Sequence, residues 1–498
     1  PVLTNMMGSE RRIALALGVE SLDELPARID AMLKGVLSPK GSLLEKMRVL
    51  PLLADAAKWF PKRVKGRGVC QQIILMGEEA DINKLPVLKC WPADGGRFVT
   101  LPMVNTLDPE TGMRNVGMYR MQVLDGKTTG MHWHIHKTGA RHYEGYKDQG
   151  RRMPVTVTLG GDPAYIFSAT APMPDNMDEY LLAGFLRQKP VRLVKSLTND
   201  IWIPEDCDFV IEGYVDPAEE KFMEGPFGDH TGFYSLTDLY PKFHITAITH
   251  RHDAVYPATL VGIPPQEDAY IGKASEKIFL SPIRLAIQPE IEDMTMPFEG
   301  TAHNIVVISL RKRYTGQSAK VVQSLWGAGQ MMFNKYMVIA PSECNIRSRE
   351  EVFALLRGLD PERNLIWSEG VLDVLDHTTP TTGYGSKLAI DLTDISTEAT
   401  KRVFDPPRTA QPEGGVLLFN TEYCRELGLL VLYAEREWRE KIDVEAYLEK
   451  NNIRDIKYVA LFDHGAAGNM RGVTITFQPS MGYYIIEDAI VNKFLQTD

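Results

Sequence analysis

Cysteine is scarce in this chain, and what there is does not cluster. Cys70, Cys90, Cys207, Cys344 and Cys424 are the whole complement of 5, with no C-x-x-C spacing among them. Neither a disulfide framework nor a zinc knuckle is therefore written here, and a reducing, cytoplasmic compartment is the expectation. Long apolar runs are absent as well. No stretch approaches the roughly 18–20 residues that a membrane-spanning helix needs. Positive charge is in deficit: 55 Lys and Arg stand against 65 Asp and Glu, a net charge of -10. Such a balance disfavours general affinity for a phosphate backbone and excludes nucleic acid as an expected partner. The basic, apolar and small-residue succession of a signal peptide is missing too. The chain opens at Pro1, not Met, and an N-terminal domain lacking its first residues is allowed for.

What remains is ordinary globular material. Hydrophobic content is 44%, charged content 24% and mean hydropathy -0.18. A length of 498 residues exceeds the roughly 100–200 of a single domain, so several domains are expected. Residues 21–34 set Ser21 and Glu24 at capping-box spacing ahead of apolar residues at helical intervals, and the first hundred residues read as mainly helical. From about Arg97 the pattern becomes β-rich, with strands expected at 118–124, 131–136, 155–159 and 209–214 between Gly, Pro and Asp turns. Beyond His303 an apolar run at 305–310, a helical stretch at 318–332, a second apolar run at 336–340 and a helix near Ser348, with Glu351 at capping-box spacing, read as strand, helix, strand, helix. Residues 404–415 are rich in Pro and Gly and mark a connection to a tail with a charged helix at 434–450 and strands at 458–462 and 472–477. No internal repeat is evident. The division expected is 1–103, 104–310, 311–403 and 404–498, an α+β or α/β multidomain chain.

Four constellations could carry chemistry. In Met131-His-Trp-His-Ile-His136, strand alternation would put His132, His134 and His136 on one face, about 6–7 Å apart, able to share a metal or simply to furnish a polar strand face. In Glu224-Gly-Pro-Phe-Gly-Asp229-His230-Thr-Gly232, two carboxylates flank a loop stiffened by Pro226. A solvated acidic turn is one reading. In the other, an apolar pocket desolvates one carboxyl and its neighbour opposes ionisation, raising its pKa toward neutrality for proton delivery. Gly383-Tyr-Gly-Ser-Lys387 could cradle a phosphate, although it lacks the spacing of a Walker loop. Asn115 and Arg120 are offset by five residues, which on an ideal strand sets them on opposite faces unless a bulge or twist intervenes.

Taken in order, these blocks resemble the UbiD family of prenylated-flavin-dependent decarboxylases. The resemblance spans about residues 69–391 and rests on Leu85-Pro-Val-Leu-Lys-Cys-Trp-Pro92, 115–120, Pro172-Met-Pro-Asp175 through Glu179-Tyr180, Ser196-Leu-Thr-Asn-Asp200, Glu212-Gly-Tyr214, 224–232 and 383–387. It implies a central flavin-binding split β-barrel flanked by N-terminal and C-terminal α/β domains. It implies prenylated FMN as cofactor, its phosphate tied through Mn2+ (or Mg2+) to Asn115, His136 and Glu179, a mixed oxygen and nitrogen donor set that suits those ions. His132 and His134 are then structural. It further implies K+ near main-chain oxygens of Ser168-Ala-Thr-Ala171, a phosphate contact at Lys387, and cofactor contacts around Met118, Tyr119, Arg120, Thr170, Ala171 and Pro172. The catalytic residues it implies are Arg120, Glu224 and Asp229: Glu224 donating the proton, Arg120 orienting the substrate carboxylate, Asp229 completing the relay.

The activity so implied is reversible, non-oxidative decarboxylation of an aromatic or α,β-unsaturated acid. Asp229 followed by His230-Thr-Gly leans toward 3-polyprenyl-4-hydroxybenzoate in ubiquinone-type quinone biosynthesis. Expected partners are a flavin prenyltransferase as cofactor supplier and copies of the chain itself, as a dimer or hexamer. Peripheral membrane contact is expected only if the substrate is polyprenylated. The alternatives are a cupin-like metal-dependent oxygenase, suggested by Gly130 and the His134-x-His136 spacing, and a noncatalytic flavin-binding protein.

Overall fold

The computed structural model describes residues 1–37, 57–174, 177–301, 303–376 and 381–395, and beyond these the strands at 417–419, 429–434, 458–464, 474–478 and 483–490 with residues 446, 449 and 450. The connection expected at 404–415 lies outside the described residues, as does most of the charged helix expected at 434–450. The chain divides into two compact units, Pro1–Ser281 and Pro282–Asp498.

A seven-stranded sheet organises the first unit. Its strands run in the order Ile73–Met76, Lys242–His250, Phe209–Val215, Met153–Leu159, Met103–Leu107 and Arg114–Met118, with Thr128–Gly130 pairing separately onto Lys242–His250. The strand Met153–Leu159 is buried along almost its whole length, as expected where both faces of a sheet are covered. Met103 and Val104, consecutive and so pointing to opposite faces, enter different cores. One core collects Val104, Val155, Phe209 and Phe243 with Trp133 and Tyr143. The other packs Met103 and Val116 against the helices Glu10–Ala16, Pro163–Thr170 and Glu179–Arg187. Among the described residues the strand path is open.

Three expectations fail in this unit, the first being the strand at 118–124, which is broken at residues 119–120. The capping-box signal is real, since the Glu24 carboxylate accepts from the N–H groups of Glu20 and Ser21 at 3.0 and 3.1 Å, and the helix runs Glu24–Leu37. The helical character does not persist: residues 58–100 carry short strands and 3-10 turns, because Gly, Pro and Asp interrupt every apolar period there. Residues 131–136 are likewise not a strand. They form an extended connection and a turn before the helix Thr138–Asp148, so strand alternation does not apply to the three histidines.

In the second unit, Ile305–Leu310 and Tyr336–Pro341 form as the apolar runs indicate, and Ser348 caps Arg349–Arg357 by accepting from the Glu351 N–H. Helix Gln317–Trp326 gives way to a 3-10 turn, Gly329–Phe333, at the glycines that interrupt the expected longer helix. The sheet order is Ile291–Thr295, Ile305–Leu310, Tyr336–Pro341, Tyr384–Asp391, Leu365–Val371, with pairings antiparallel, parallel, parallel, antiparallel.

The tail repeats that pattern. Leu417–Phe419, Leu429–Ala434, Tyr458–His464, Tyr483–Ile490 and Thr474–Gln478 lie in the same order with the same directions. Even the register coincides. Thr295 faces Val307 where Phe419 faces Val431, Ile305 faces Tyr336 where Leu429 faces Tyr458, and Tyr336 faces Leu388 where Tyr458 faces Tyr484. The expectation of no internal repeat holds for the sequence and not for the backbone, whose strand order, direction and register recur.

Candidate active site

Glu224 ends the strand Phe222–Glu224, paired there with Asp238 of Asp238–Tyr240. Between these strands the chain folds back on itself. The N–H of Ser235 donates to the Phe227 carbonyl at 2.8 Å, and that of Asp229 donates to Phe233 at 3.1 Å. Gly232 takes a φ of +84°, which its missing Cβ permits. Asp229 is thereby turned toward the end of the strand that carries Glu224.

Arg120 joins the two acids. It lies in the break between Arg114–Met118 and Met121–Gln122, so the opposite-face problem with Asn115 does not arise: the two residues belong to different backbone elements. Its Nε and Nη2 donate to Glu224 Oε1 and Oε2 at 2.9 and 3.1 Å, a bidentate grip, and Nη1 donates to Asp229 Oδ2 at 2.5 Å. Nη2 also reaches Ser235 Oγ at 3.2 Å, and the guanidinium lies 4.7 Å from the Phe227 ring centre. Glu224 is 0% and Asp229 6% exposed.

Electrostatics here reverse the expected direction for Glu224. Burial pushes its carboxyl pKa up, but the Arg120 guanidinium and His132 outweigh that and hold it down at about 2. Asp229 is also held well below the carboxylate range. Burial opposes ionisation there, and His230, whose Nδ1 lies 2.9 Å from Oδ1, and Arg120 overcome it. The neighbouring carboxylate does not dominate because a cation stands between the two acids.

His132 is placed beside Glu224, a position that neither the metal-sharing nor the structural reading of it implies. Its Nδ1 is 3.1 Å from Glu224 Oε2, its ring lies 4.3 Å from that of Tyr240, and its Nε2 contacts Nε2 of His134. Burial and then the Arg120 charge lower its pKa. Asp94, Gln122 and Ser235 were missed as well. Asp94 Oδ1 accepts from the Gly228 N–H at 2.8 Å and its Oδ2 from Trp91 and Cys90, while Gln122 Oε1 accepts from Gly225 N–H at 2.8 Å. Gly95 N–H donates to the Pro226 carbonyl at 2.7 Å. The one sequence signal was position: Asp94 follows the block ending at Pro92 by two residues.

Of the anticipated metal set, two members meet. Asn115 and Glu179 line one small cavity of about 20 Å³, along with Arg114 and Arg141. His136 is exposed on the turn after His134 and is outside that lining. The Glu179 carboxyl is pushed up to about 8 by burial, against the Val116 N–H that donates to it at 2.8 Å, and the buried Asn115 Nδ2 has no hydrogen-bond partner. The buried Glu179 carboxyl, short of compensation, fits a divalent cation, whereas the unpartnered Asn115 Nδ2 is a donor, so Asn115 fits one only with its amide turned to present Oδ1. Among the described residues no three His, Cys, Asp or Glu side chains are grouped to hold a metal.

Met118 is half-buried against the helical core, and Tyr119 is buried with its hydroxyl accepting from the Gly139 N–H at 3.3 Å. Thr170 ends the helix Pro163–Thr170, Ala171 caps it, and Pro172 follows, so main-chain oxygens of its last turn are at hand. Lys387, in the second unit, is buried with Nζ donating to the Met332 and Asn334 carbonyls at 2.5 and 2.6 Å, and burial lowers its pKa to about 7. Serving a phosphate requires it to exchange those carbonyls.

Residues 62–264 match the family model described as the 3-octaprenyl-4-hydroxybenzoate carboxy-lyase Rift-related domain, and 269–392 match the C-terminal domain of the same enzyme. The chain belongs to the UbiD family. An uncharacterized protein of Aquifex aeolicus is 46% identical over 79% of this chain and 80% of its own length, and one of Archaeoglobus fulgidus is 43% identical over the same shares. Vanillic acid decarboxylase of Sedimentibacter hydroxybenzoicus in its closed form superposes with a TM-score of 0.70 at 24% identity, over 90% of this chain and 87% of that one. The UbiD-class enzyme HmfF of Pelotomaculum thermopropionicum, in complex with FMN, gives 0.65 at 24% identity over 82% and 86%. At that identity the likeness speaks for the fold, a mixed α/β multidomain architecture common to UbiD-class structures.

Proposed function

We propose that this UbiD protein is a carboxy-lyase that removes carbon dioxide, reversibly, from an aromatic or α,β-unsaturated acid with prenylated FMN. The observation that carries the reading is the single buried guanidinium gripping two buried carboxylates, Arg120 with Glu224 and Asp229. Family membership supports it, and so do fold neighbours solved with FMN and with prenylated FMN. The substrate proposed is a 3-polyprenyl-4-hydroxybenzoate of quinone biosynthesis, and the seven-stranded sheet is read as the split barrel of the family. Asn115, Glu179 and, once its turn folds inward, His136 would hold Mn2+ or Mg2+ against the cofactor phosphate, with K+ at the carbonyls near Ala171. A flavin prenyltransferase would supply the cofactor, and a homo-oligomer is the proposed assembly.

When bound, the prenylated flavin supplies the electron sink that loss of carbon dioxide from an sp2 carbon needs. The chain's own residues manage charge and protons. In the resting site Arg120 neutralises Glu224, which at a pKa of about 2 is a carboxylate and no acid. An incoming substrate carboxylate is a competing bidentate partner for the same guanidinium. As Arg120 turns to it, Glu224 loses its largest stabilising charge while remaining buried, and its pKa climbs toward the range of a working acid. Asp229, held by His230, keeps one arm of Arg120 in place during that exchange. Substrate binding thus arms the acid.

Glu224→Gln tests this. Protein produced with the prenylated flavin supplied should keep its flavin absorbance, and carbon dioxide release from a panel of aromatic acids should fall by at least about 10²-fold. A variant that retains turnover near the parent's rate defeats the proton-donor assignment. A parent with no bound flavin defeats the function, and a flavin-bearing parent that turns over no acid leaves a noncatalytic flavin-binding protein.

A further inference from the structure

The first unit holds a cavity of about 1080 Å³ whose lining shares no residue with the acids, with the small cavity at Glu179 or with the cofactor contacts considered above. Helices Glu10–Ala16 and Glu179–Arg187 give it their last turns and Pro163–Thr170 its first. Glu24–Leu37 gives one face, through Arg28 and Met32 four residues apart, and Lys58 and Trp59 supply a further side. Glu179 and Thr170 sit at the other ends of their helices. The cavity and these two residues thus lie at opposite ends of one helix pair.

Charge in this lining is unbalanced. Arg28, Lys58, Arg187 and Lys189 stand against one carboxylate, Asp162, in a chain whose net charge is -10. That carboxylate is already engaged: Oδ1 accepts from the Ala164 N–H at 3.1 Å, capping its helix, and Oδ2 accepts from Arg187 Nε at 2.6 Å. The Arg187 side chain is only 7% exposed, with Nη2 at 3.6 Å from Asp206 and the guanidinium 4.6 Å from the Tyr165 ring centre. Lys189 has no ion-pair partner among the described residues. Arg187 and Lys189 suit the C-terminal end of a helix, where the macrodipole favours cations. Arg28 has no such reason. It stands one turn from the N-terminus of its helix, where a cation is disfavoured, and its partner Glu24, 3.4 Å away and outside the lining, is too solvated to hold it strongly.

The rest of the wall is apolar. The rings of Trp59 and Phe185 meet edge to face, 5.0 Å between centres and 82° between planes, and Leu15 is 67% exposed. The volume lies at the upper end of the roughly 300–1,000 Å³ of small-molecule sites. A bare phosphate or sulfate would leave these rings in water, and a neutral hydrocarbon would desolvate the cations without giving them a partner. We propose that the cavity is a second ligand site, which takes an organic anion with a bulky apolar body. Its acid group is met by Arg28, Arg187 and Lys189, and its body lies against Trp59, Phe185 and Leu15. The inference does not depend on the reaction proposed above.

The full chain with its flavin is dialysed to equilibrium against 4-(pyren-1-yl)butyrate, whose carboxyl sits on a saturated carbon, and separately against the neutral 4-(pyren-1-yl)butanol. One equivalent of the acid should bind per chain, and the alcohol about tenfold more weakly. The double variant Arg28→Glu, Lys189→Glu should bind the acid about 10²-fold more weakly, with flavin absorbance and carbon dioxide release at the parent's values. Arg28→Lys with Lys189→Arg should bind it as the parent does. Equal binding of acid and alcohol overturns the site and leaves an apolar groove suited to another protein surface. Undiminished binding of the acid by the charge-reversed chain overturns it too, since the acid is then held elsewhere, and so does absence of binding at millimolar acid. Should charge reversal lower the melting temperature, Lys189→Gln alone takes its place and should weaken the acid by about fivefold. A parent that releases no carbon dioxide defeats the function proposed above and leaves this measurement intact.

Discussion

Arg120 owes its place to what it prevents. Two carboxylates, 0% and 6% exposed, would each be pushed toward the neutral acid by burial, and the guanidinium keeps both ionised. Glu224 falls from 4.5 to about 2, and a group with a depressed folded pKa contributes stability above its unfolded pKa, lost as pH falls through the folded one. For Glu224 that amounts to about 3 kcal/mol at neutral pH, disappearing between about pH 4.5 and pH 2. Arg120→Met should therefore unfold at a lower temperature than the parent at pH 7, by an amount equivalent to about 3–5 kcal/mol. The gap should narrow steadily as thermal scans move below pH 4.5. A gap that stays constant with pH would show that Arg120 acts through packing on Phe227 instead. The grouping of the two acids with the arginine was implied by the resemblance, since the motif alone left a solvated acidic turn open. His132 was not, because strand alternation put it in a row with His134 and His136, and its contact with Glu224 crosses 92 positions of sequence.

The acids are held by elements that say little in sequence. The loop after Glu224 is fastened from outside by the Asp94 carboxylate, the Gln122 amide and the backbone of Gly95. A Cβ on Gly95 would stand 2.1 Å from the Gly225 carbonyl oxygen, a backbone atom that cannot swing aside. Gly95→Ala should therefore push Gly225 and its neighbour Glu224 out of line with Arg120. We expect turnover to fall by about 10²-fold, as small misplacements of a positioned group do, with flavin absorbance retained. Unchanged turnover would mean that the loop absorbs the shift without moving Glu224. Strands were legible where burial is two-sided: Phe209–Val215 reads as a β-branched stretch between turns and Ile305–Leu310 as an apolar run. Residues 58–100 misled because their apolar residues pack as isolated anchors, such as Cys70, Ile82 and Leu85, without a helical period.

At the scale of the chain, the second unit holds one strand pattern twice, and the two copies differ at the position the resemblance selects. Lys387 immediately precedes Leu388, which faces Tyr336; in the tail the residue preceding the equivalent Tyr484 is Tyr483. The repeat escaped the sequence because a β-scaffold is specified by alternation and turn spacing, which many unrelated side chains satisfy. Some positions persist, among them Tyr336 and Tyr458, Trp367 and Phe477, and Asp391 and Glu487, which share register and chemistry. On the function proposed above Lys387 contacts the cofactor phosphate, and the equivalent position of the tail carries a tyrosine. Lys387→Met should then release flavin during gel filtration, lowering its content by about tenfold, whereas Tyr483→Phe should leave it unchanged. The lysine variant also strips partners from the Met332 and Asn334 carbonyls, at about 1–3 kcal/mol each, so its melting temperature must be followed in parallel. Loss of flavin from protein still folded at the assay temperature assigns Lys387 to the cofactor; full retention assigns it to the structure of its own sheet.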